Sequence, residues 1–285
     1  FSPAFPYAVS INLAGSSPIT NSGSFTVTFN QDVVGVDAAD FQIVNTGSVA
    51  NGTISSVTGL GATYTVAVTG ITGSGTIGLN LVDTPSISAV PPTFAAKQDF
   101  GTGTSPNSVM LGDVNGDGKL DMVTANYGSA NASVLLGNGN GTFHGQQTFA
   151  TGTRPASVTL GDVNGDGNLD IVTANFGSNN TSVLLGNGDG TFQSASNFGT
   201  GKYPTSVTLG DVNGDGKLDI VTANYGVGSN NVSVLLGNGN GTFQGQQTFV
   251  TDTRPISVML GDVNGDGKLD IVTANRGSNN ASVLL

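Results

Sequence analysis

The stretch DVNGDGKLD at residues 113–121 decides the fold, because close copies follow at residues 162–170, 211–219 and 262–270. In each copy an oxygen-bearing side chain stands at positions 1, 3, 5 and 9, and glycine stands at positions 4 and 6. Calcium suits this spacing, since it binds about six to eight oxygen ligands gathered by a short, sharply turning loop. The sequence therefore predicts up to four Ca²⁺ ions, one in each copy.

The predicted ligands are the side-chain oxygens at positions 1, 3, 5 and 9 and the backbone carbonyl at position 7. In the first copy this leaves the ammonium of Lys119 free to point to water. Gly118 allows the sharp turn, since a residue without Cβ reaches positive φ without steric cost. The predicted ligand residues are Asp113, Asn115, Asp117, Lys119 and Asp121; Asp162, Asn164, Asp166, Asn168 and Asp170; Asp211, Asn213, Asp215, Lys217 and Asp219; and Asp262, Asn264, Asp266, Lys268 and Asp270.

Two other loop types are weighed against this prediction. An EF-hand needs a Glu at position 12 and a helix on each side, but position 12 is Thr in all copies and the chain contains no Glu. The short β-branched flanks instead indicate that the loop joins two strands. Asn-Gly and Asp-Gly also favour plain hairpin turns. A plain turn does not require a carboxylate at position 9, and three crowded carboxylates repel one another without a cation.

Composition and charge narrow the class of protein. The 285 residues include 44 Gly and neither Cys nor Trp, which is typical of an all-β protein with many turns and excludes disulfides and thiolate metal sites. The net charge is −11, but the loops hold 12 of the 19 acidic residues, so four Ca²⁺ would bring the charge to −11 + 8 = −3. There is no basic patch for nucleic acid.

The sequence also bears on location. No apolar run approaches the roughly 20 residues that span a bilayer, so we expect no transmembrane segment. Calcium loops of this kind can be weak, with dissociation constants of about 10⁻⁴–10⁻³ M, which suits the calcium concentration outside cells. We therefore expect a protein that is secreted or on the cell surface. Because the sequence starts at Phe1 without a signal-peptide pattern, we also expect a mature or trimmed product.

Residues 1–84 contain no copy of the loop and show period-2 alternation at 10–13, 25–29, 41–44, 64–68 and 77–81. Such runs, separated by Gly, Ser and Asn turns, predict an antiparallel β-sandwich. The stretch GSFTVTFN at 23–30, with the residues that follow it, resembles the bacterial immunoglobulin-like (Ig-like) modules of surface proteins. The proline-containing residues 85–96 are the predicted linker.

Residues 97–285 form a repeat, since the first aspartates of the loops lie 49, 49 and 51 residues apart. Each unit contains four short apolar strands, which predicts β-propeller blades of about 49 residues. The run GDVNGDGKLDIVTAN followed by GNGxGTF resembles the FG-GAP/VCBS repeat family, which includes the calcium-binding blades of integrin α-subunits and many bacterial surface proteins. The resemblance implies a propeller with Ca²⁺ between the first and second strands of each blade.

The number of blades departs from that family, whose propellers usually have seven. Residues 97–100 resemble the last strand of a unit, and the chain stops after the third strand of its fourth unit, so these residues could complete that blade. The alternatives are an open arc or a strand supplied by a neighbouring molecule.

The overall prediction is a non-enzymatic calcium-binding adhesion or surface-structure protein. No nucleophile or acid–base motif is found, and the single histidine, His144, replaces a Gln of the other repeats. The expected partner is another surface protein, a glycan or further copies of the chain. The alternatives are a filament subunit and a carbohydrate-binding propeller, in which sugars stack on the equivalent residues Tyr127, Phe176, Tyr225 and Arg276. Asn131, Asn180, Asn231 and Asn280 begin equivalent N-x-S sequons and are possible glycosylation sites.

Overall fold

The computed structural model describes residues 6–14, 21–49, 52–82, 86–90, 94–226 and 230–285. These residues are all-β, apart from one 3₁₀ turn at Ala38–Asp40. The chain divides into two compact units, Phe1–Lys97 and Gln98–Leu285. Within the described ranges, no helix is long and apolar enough to cross a membrane.

The described residues of the first unit form eight strands in three antiparallel sheets. The sheet orders are β1-β2-β6-β5, β4-β7 and β3-β8. The strands are β1 Ala8–Ala14, β2 Gly23–Phe29, β3 Val33–Val34, β4 Phe41–Gly47, β5 Thr53–Leu60, β6 Thr63–Thr69, β7 Gly75–Leu81 and β8 Ser88–Ala89. Strand β8 lies inside the predicted linker and pairs with β3, so part of that segment belongs to a sheet of the first unit.

Alternating apolar side chains build one core in this unit. Phe25, Val27 and Phe29 point inward from β2, because successive side chains of a strand face opposite sides of the sheet. The ring of Phe29 meets Tyr64 edge-on, and the Tyr64 hydroxyl donates a hydrogen bond of 2.9 Å to the carbonyl of Val33. The sheet β1-β2-β6-β5 is thereby tied to the segment that pairs with β8.

The second unit repeats one antiparallel hairpin pattern. Its first three repeats are four-stranded sheets, in which the four strands of each repeat pair in sequence order, and its fourth is the three-stranded sheet β21-β22-β23. The strands are β9 Pro106–Gly112, β10 Asp121–Asn126, β11 Asn131–Leu135, β12 Gln147–Ala150, β13 Pro155–Gly161, β14 Asp170–Asn175, β15 Asn180–Leu184, β16 Ser196–Gly199, β17 Pro204–Gly210, β18 Asp219–Asn224, β19 Asn231–Leu235, β20 Gln247–Val250, β21 Pro255–Gly261, β22 Asp270–Asn275 and β23 Asn280–Leu284.

The cores of this unit lie between successive repeats. Every residue of β14 is buried, with Ile171 directed toward the first repeat and Val172 toward the third. A fully buried Ile or Val side chain contributes roughly 1.5–3 kcal/mol to stability. The first strands β9, β13, β17 and β21 are successive neighbours in space, so the repeats stack in sequence order.

The structure contradicts one interpretation of the chain end. Residues 97–100 form no strand on the fourth repeat; instead the ring of Phe100 packs edge-on against Phe143 of the first repeat, with centroids 5.1 Å apart. The same contact joins Phe149 to Phe192 and Phe198 to Phe243. Phe100 is therefore placed like the last strand of a preceding repeat. No closed ring of sheets is seen among the described residues.

Candidate metal centre

The four aspartate-rich loops are the hairpin connections between the first and second strands of the repeats. Gly112, the last residue of β9, pairs with Asp121, the first residue of β10, and the loop lies between them. The other three repeats have the same register. The β-branched flanks thus predict the strand-to-strand setting correctly, and a helix adjoins none of the loops.

The first aspartate of each loop organises the turn. Asp113 Oδ1 accepts hydrogen bonds from the N–H groups of Gly116 and Asp117, at 2.8 and 3.1 Å, and its Oδ2 accepts one from Gly118 at 2.8 Å. Gly116 and Gly118 have φ of 73° and 78°, a region that favours glycine. The equivalent bonds recur at Asp162, Asp211 and Asp262.

The aspartate at position 9 is buried at the base of each loop. In the second repeat, Asp170 Oδ2 accepts a hydrogen bond from Val163 N at 2.8 Å, and Oδ1 accepts one from Gly186 N at 2.8 Å. Asp121 and Asp219 make the same pair of bonds, and Asp270 makes the first of them. The carboxylate therefore links the loop to the residues that follow the third strand.

The carboxylates of one loop act on each other electrostatically. The pKa of Asp170 is raised to about 6, chiefly by burial and to a smaller extent by the negative charges of Asp166 and Asp162, while the hydrogen bonds from Gly186 and Val163 act in the opposite direction. The pKa of Asp219 is raised for the same reasons. A bound cation would relieve the repulsion that these shifts record.

The ammonium of Lys119, expected to be free to point to water, is exposed but also contacts a carboxylate of its own loop. Its Nζ lies 3.1 Å from Asp117 Oδ2, and Lys217 lies 3.8 Å from Asp215 in the third repeat. The side-chain hydrogen bond from Lys119 is the largest of the causes that lower the pKa of Asp117. The carboxylate two residues before the lysine is the nearest opposite charge, but an exposed pair of this kind adds little stability.

The donor set fits a hard cation in its chemistry, because every predicted ligand atom is an oxygen. An ionised carboxylate offers about four lone-pair positions, so the two backbone bonds of Asp170 leave room for an ion. In this structure the first aspartates accept hydrogen bonds from backbone N–H groups of their own loops, and Asp170 also accepts one from Gly186 beyond the third strand. Across the described part of the chain, His, Cys, Asp and Glu side chains form no group of three or more converging on one point. The calcium ligands stay a prediction.

A buried asparagine that the sequence analysis did not single out lies at the end of each second strand. Asn175 donates from Nδ2 to Ser182 Oγ at 2.8 Å and to Asn180 Oδ1 at 2.9 Å, and its Oδ1 accepts from Thr173 Oγ1 at 2.9 Å. Asn126, Asn224 and Asn275 repeat the pattern. Its only sequence signal is the recurrence of VTAN in every unit.

The asparagines of the predicted glycosylation sites have a structural contact. Asn131, Asn180, Asn231 and Asn280 begin the third strands, and each side-chain oxygen accepts the bond from the buried asparagine described above. This bond accounts for their recurrence in every repeat without a glycan. Glycosylation therefore stays a prediction.

Rings and guanidinium groups from successive repeats stack along one edge of the array. The ring centroid of Phe176 lies 4.8 Å from that of Tyr203, in a stacked arrangement, and 6.0 Å from that of Tyr127. Arg154 covers the ring of Tyr127 at 5.8 Å, and Arg254 covers that of Tyr225 at 5.7 Å. Ring faces that a sugar would need are thus partly covered from within the chain.

Several solved structures are similar to this chain at low identity. BBS1N, in a complex with ARL6DN soaked with lead, is 11% identical with a TM-score of 0.45, over 65% of this chain and 57% of BBS1N. The V. cholerae biofilm matrix protein Bap1 is 15% identical with a TM-score of 0.42, over 98% of this chain and 37% of Bap1. A functionally unknown protein from Desulfotomaculum acetoxidans DSM 771 is 14% identical with a TM-score of 0.42, over 99% of this chain and 85% of that protein.

The chain thus spans less than two thirds of BBS1N and of Bap1, and likenesses at these scores carry no functional argument. No curated protein sequence matches the chain. The model of the FG-GAP-like repeat family matches residues 113–173, 162–222 and 211–273, which together cover more than half of the 285 residues. Each matched segment begins at the first aspartate of one loop and ends beyond the next, so the repeated loop and its flanking strands carry the match. The chain therefore belongs to the FG-GAP-like repeat family.

Proposed function

We propose that this chain is a non-enzymatic, calcium-stabilised structural module of an extracellular adhesion or surface protein. Its FG-GAP repeats form the calcium-binding part, as blades of a propeller arc, and its first unit is an Ig-like sandwich that acts as a spacer. Calcium occupies the loops at residues 113–121, 162–170, 211–219 and 262–270. The partner is another surface protein, a glycan or a further copy of the chain.

The observation that carries the calcium proposal is the buried aspartate at position 9 of every loop. Asp170 is held on the protein by two backbone N–H groups, and the charges of Asp162 and Asp166 still raise its pKa. These two hydrogen bonds would be enough if the only role of Asp170 were to hold the loop to the strands. The negative charges of Asp162 and Asp166 add repulsion in the absence of a cation, so the recurrence of three aspartates in all four loops favours a metal role.

Binding at this site would be coupled to stability. Each loop joins the first and second strands of its sheet, and in the first three repeats the position-9 aspartate also joins the residues after the third strand. A Ca²⁺ bound there would attract the carboxylates of the loop and so hold these segments together. An ion that binds only the folded chain stabilises it by about 2.7 kcal/mol per site at a free concentration 100 times its dissociation constant.

Calcium titration of the metal-stripped protein by isothermal calorimetry tests the proposal. We expect binding heats with a stoichiometry approaching four per chain and little response to Mg²⁺, which requires a stricter octahedral geometry. Tb³⁺ luminescence, sensitised by nearby tyrosines, provides a second readout. Absence of binding heat at millimolar calcium, together with absence of Tb³⁺ binding, would overturn the proposal.

A further inference from the structure

The arginine edge of the second unit lies at the strand ends opposite the aspartate-rich loops. It is formed by the turns after the second strands and by the connections from each repeat to the next. The charged residues of these segments are Arg154, Lys202, Asp252, Arg254 and Arg276. Asp252, the one acid among them, accepts hydrogen bonds from Thr253 N at 2.7 Å and Asn280 Nδ2 at 2.8 Å. A chain with a net charge of −11 thus has one edge on which basic side chains predominate.

Two arginines of this edge are held by rings of the preceding repeats. Arg154 Cζ lies 5.8 Å from the ring centroid of Tyr127, and Arg254 Cζ lies 5.7 Å from that of Tyr225. A guanidinium stacked on a ring keeps its planar set of N–H donors for a carboxylate. Both arginines are exposed, and within the described ranges neither forms an ion pair with a carboxylate of the chain. Both cations are therefore oriented by the fold and accessible to an anion.

The backbone at these positions favours glycine, yet the sequence places large side chains there. Arg154, Tyr203 and Arg254 have φ of 54°, 57° and 55°. Residues with a Cβ seldom adopt this region, and such conformations occur often at ligand-binding sites. Glycine would adopt the same backbone at lower cost. The presence of arginine and tyrosine here therefore points to a role for their side chains at the surface.

Tyr203 adds an aromatic surface between the two arginines. It belongs to the third repeat, and its ring stacks on Phe176 of the second with centroids 4.8 Å apart. Tyr203 is nevertheless 42% exposed. An exposed ring offers an apolar surface on which the C–H groups of a sugar can pack. The edge thus combines two oriented cations with one accessible ring.

From this combination we infer that the arginine edge binds a linear acidic polysaccharide. Its carboxylates pair with Arg154 and Arg254, and one of its sugar rings packs on Tyr203. The inference rests on the proposed function in that a glycan is the partner, and it adds the charge of that glycan and its place on the chain. A neutral sugar would find the ring faces of Tyr127 and Tyr225 covered by the guanidinium groups.

The spacing of the cations favours a glycan over a nucleic acid. Nucleic acids carry closely spaced phosphates and bind surfaces on which many Lys and Arg side chains cluster. Here one arginine comes from the second repeat and the other from the fourth, with Lys202 between them in sequence. A polymer with widely spaced carboxylates suits this arrangement better.

Fluorescence anisotropy of a labelled hyaluronate oligosaccharide, which carries a carboxylate on every second sugar, tests this inference in millimolar calcium. We expect saturable binding that weakens as the salt concentration rises. Arg154→Gln and Arg254→Gln should each weaken it about tenfold, because each removes a charge-assisted pair of hydrogen bonds. Lys97→Gln removes the same charge from the first unit and is the matched control, which should bind like the unmodified chain.

Two other ligands identify the chemistry that is recognised. Hyaluronate methylated at its carboxyl groups is neutral and should bind much more weakly, and single-stranded DNA of the same charge should also bind more weakly. Equal binding of the neutral ester, or tighter binding of DNA, would overturn the inference. So would an absence of binding at millimolar oligosaccharide, or unchanged binding in the double variant Arg154→Gln, Arg254→Gln.

Calcium titration of the same variants separates this inference from the proposed function. Both arginines lie at the strand ends opposite the loops, so the variants should bind calcium with unchanged stoichiometry. Normal calcium binding without hyaluronate binding would refute the acidic-glycan inference alone. Hyaluronate binding that depends on the two arginines, in a chain that binds no calcium, would support the inference and refute the calcium proposal.

Discussion

Asp170 Oδ1 accepts a hydrogen bond from the N–H of Gly186 at 2.8 Å, across 16 residues of sequence. The bond joins the base of the second loop to the segment that leaves β15. Its counterparts join Asp121 to Gly137 and Asp219 to Gly237. A single carboxylate thus has two roles, as an acceptor for backbone N–H groups and as a proposed calcium ligand.

Replacing this carboxylate should remove one site. Asp170→Asn keeps the size of the side chain but removes its charge and turns an N–H₂ group toward a backbone donor. We expect the calorimetric stoichiometry to fall by one ion, and the metal-free protein to lose about 1–3 kcal/mol of stability.

The matched control for that variant is Asp189→Asn, in the loop that follows β15. Asp189 accepts bonds from the N–H and hydroxyl of Thr191, and Asn140 and Asn240 make the same bonds in neighbouring repeats. Asp189→Asn should leave both stoichiometry and stability unchanged. Equal losses in the two variants would show that net charge, and not the site, governs binding.

Removal of calcium should lower the melting temperature. If the proposed ions bind only the folded chain, the chelated protein should unfold at lower temperature and lower denaturant concentration. Circular dichroism melting in excess EGTA and in millimolar calcium measures the difference. The same melting temperature in both conditions would contradict a structural role for calcium.

The response of stability to pH should reverse with calcium. In chelator, Asp170 has a folded-state pKa of about 6, above its ordinary value, so the folded state binds its proton more tightly than the unfolded state. Stability from this group therefore rises as pH falls from 7 through 6 toward 4. In saturating calcium, protons compete with the ion and stability falls over the same range. Denaturant unfolding of the unmodified chain and of Asp170→Asn at several pH values isolates the contribution of Asp170 as the difference between them. A difference that changes with pH in the same direction in both conditions would contradict calcium binding at Asp170.

Replacing the buried Asn175 by alanine should destabilise the protein more than replacing the exposed Asn187. Asn175→Ala leaves Thr173, Asn180 and Ser182 without their shared partner, and we expect a loss of about 1–3 kcal/mol. Asn187→Ala, which removes one bond to Thr191 in an exposed turn, should cost less than about 1 kcal/mol. Urea unfolding of both variants compares them, and equal losses would contradict the role assigned to Asn175.

Substitution by alanine should cost more stability at Gly161 than at the equivalent Gly261, because only Gly161 packs against a following repeat. Gly161→Ala introduces a Cβ 2.7 Å from Leu209 and 3.1 Å from Leu218, which should destabilise the chain by about 1 kcal/mol or more. Gly261→Ala meets open space. It should change stability by less than about 0.5 kcal/mol. Denaturant unfolding compares the pair, and a larger loss in Gly261→Ala would contradict the close packing of Gly161 against the leucines of the third repeat.

The all-β fold and the repeat could be predicted because the period of about 49 residues and the apolar strands repeat closely. Strand β5 was missed, since only Ile54 and Val57 among its residues are directed inward and the alternation is weak. The position of residues 97–100 could not be predicted. The sequence shows only that they resemble the last strand of a unit. The contact of Phe100 with Phe143 of the first repeat is visible only in the fold.

The site was predictable in its residues but not in all of its contacts. The loop spacing singled out Asp170, whereas its bond to Gly186 joins segments that only the fold brings together. The role of Asn175 was missed because asparagine is usually a turn residue, and here it is buried among Thr and Ser hydroxyls.

The most direct test of the central claim is anomalous diffraction from crystals grown in millimolar calcium. We predict one anomalous peak within each of the loops at residues 113–121, 162–170, 211–219 and 262–270, about 2.3–2.6 Å from the oxygens of positions 1, 3, 5, 7 and 9. Four loops without a peak, with their aspartates bound only to backbone N–H groups, would contradict it.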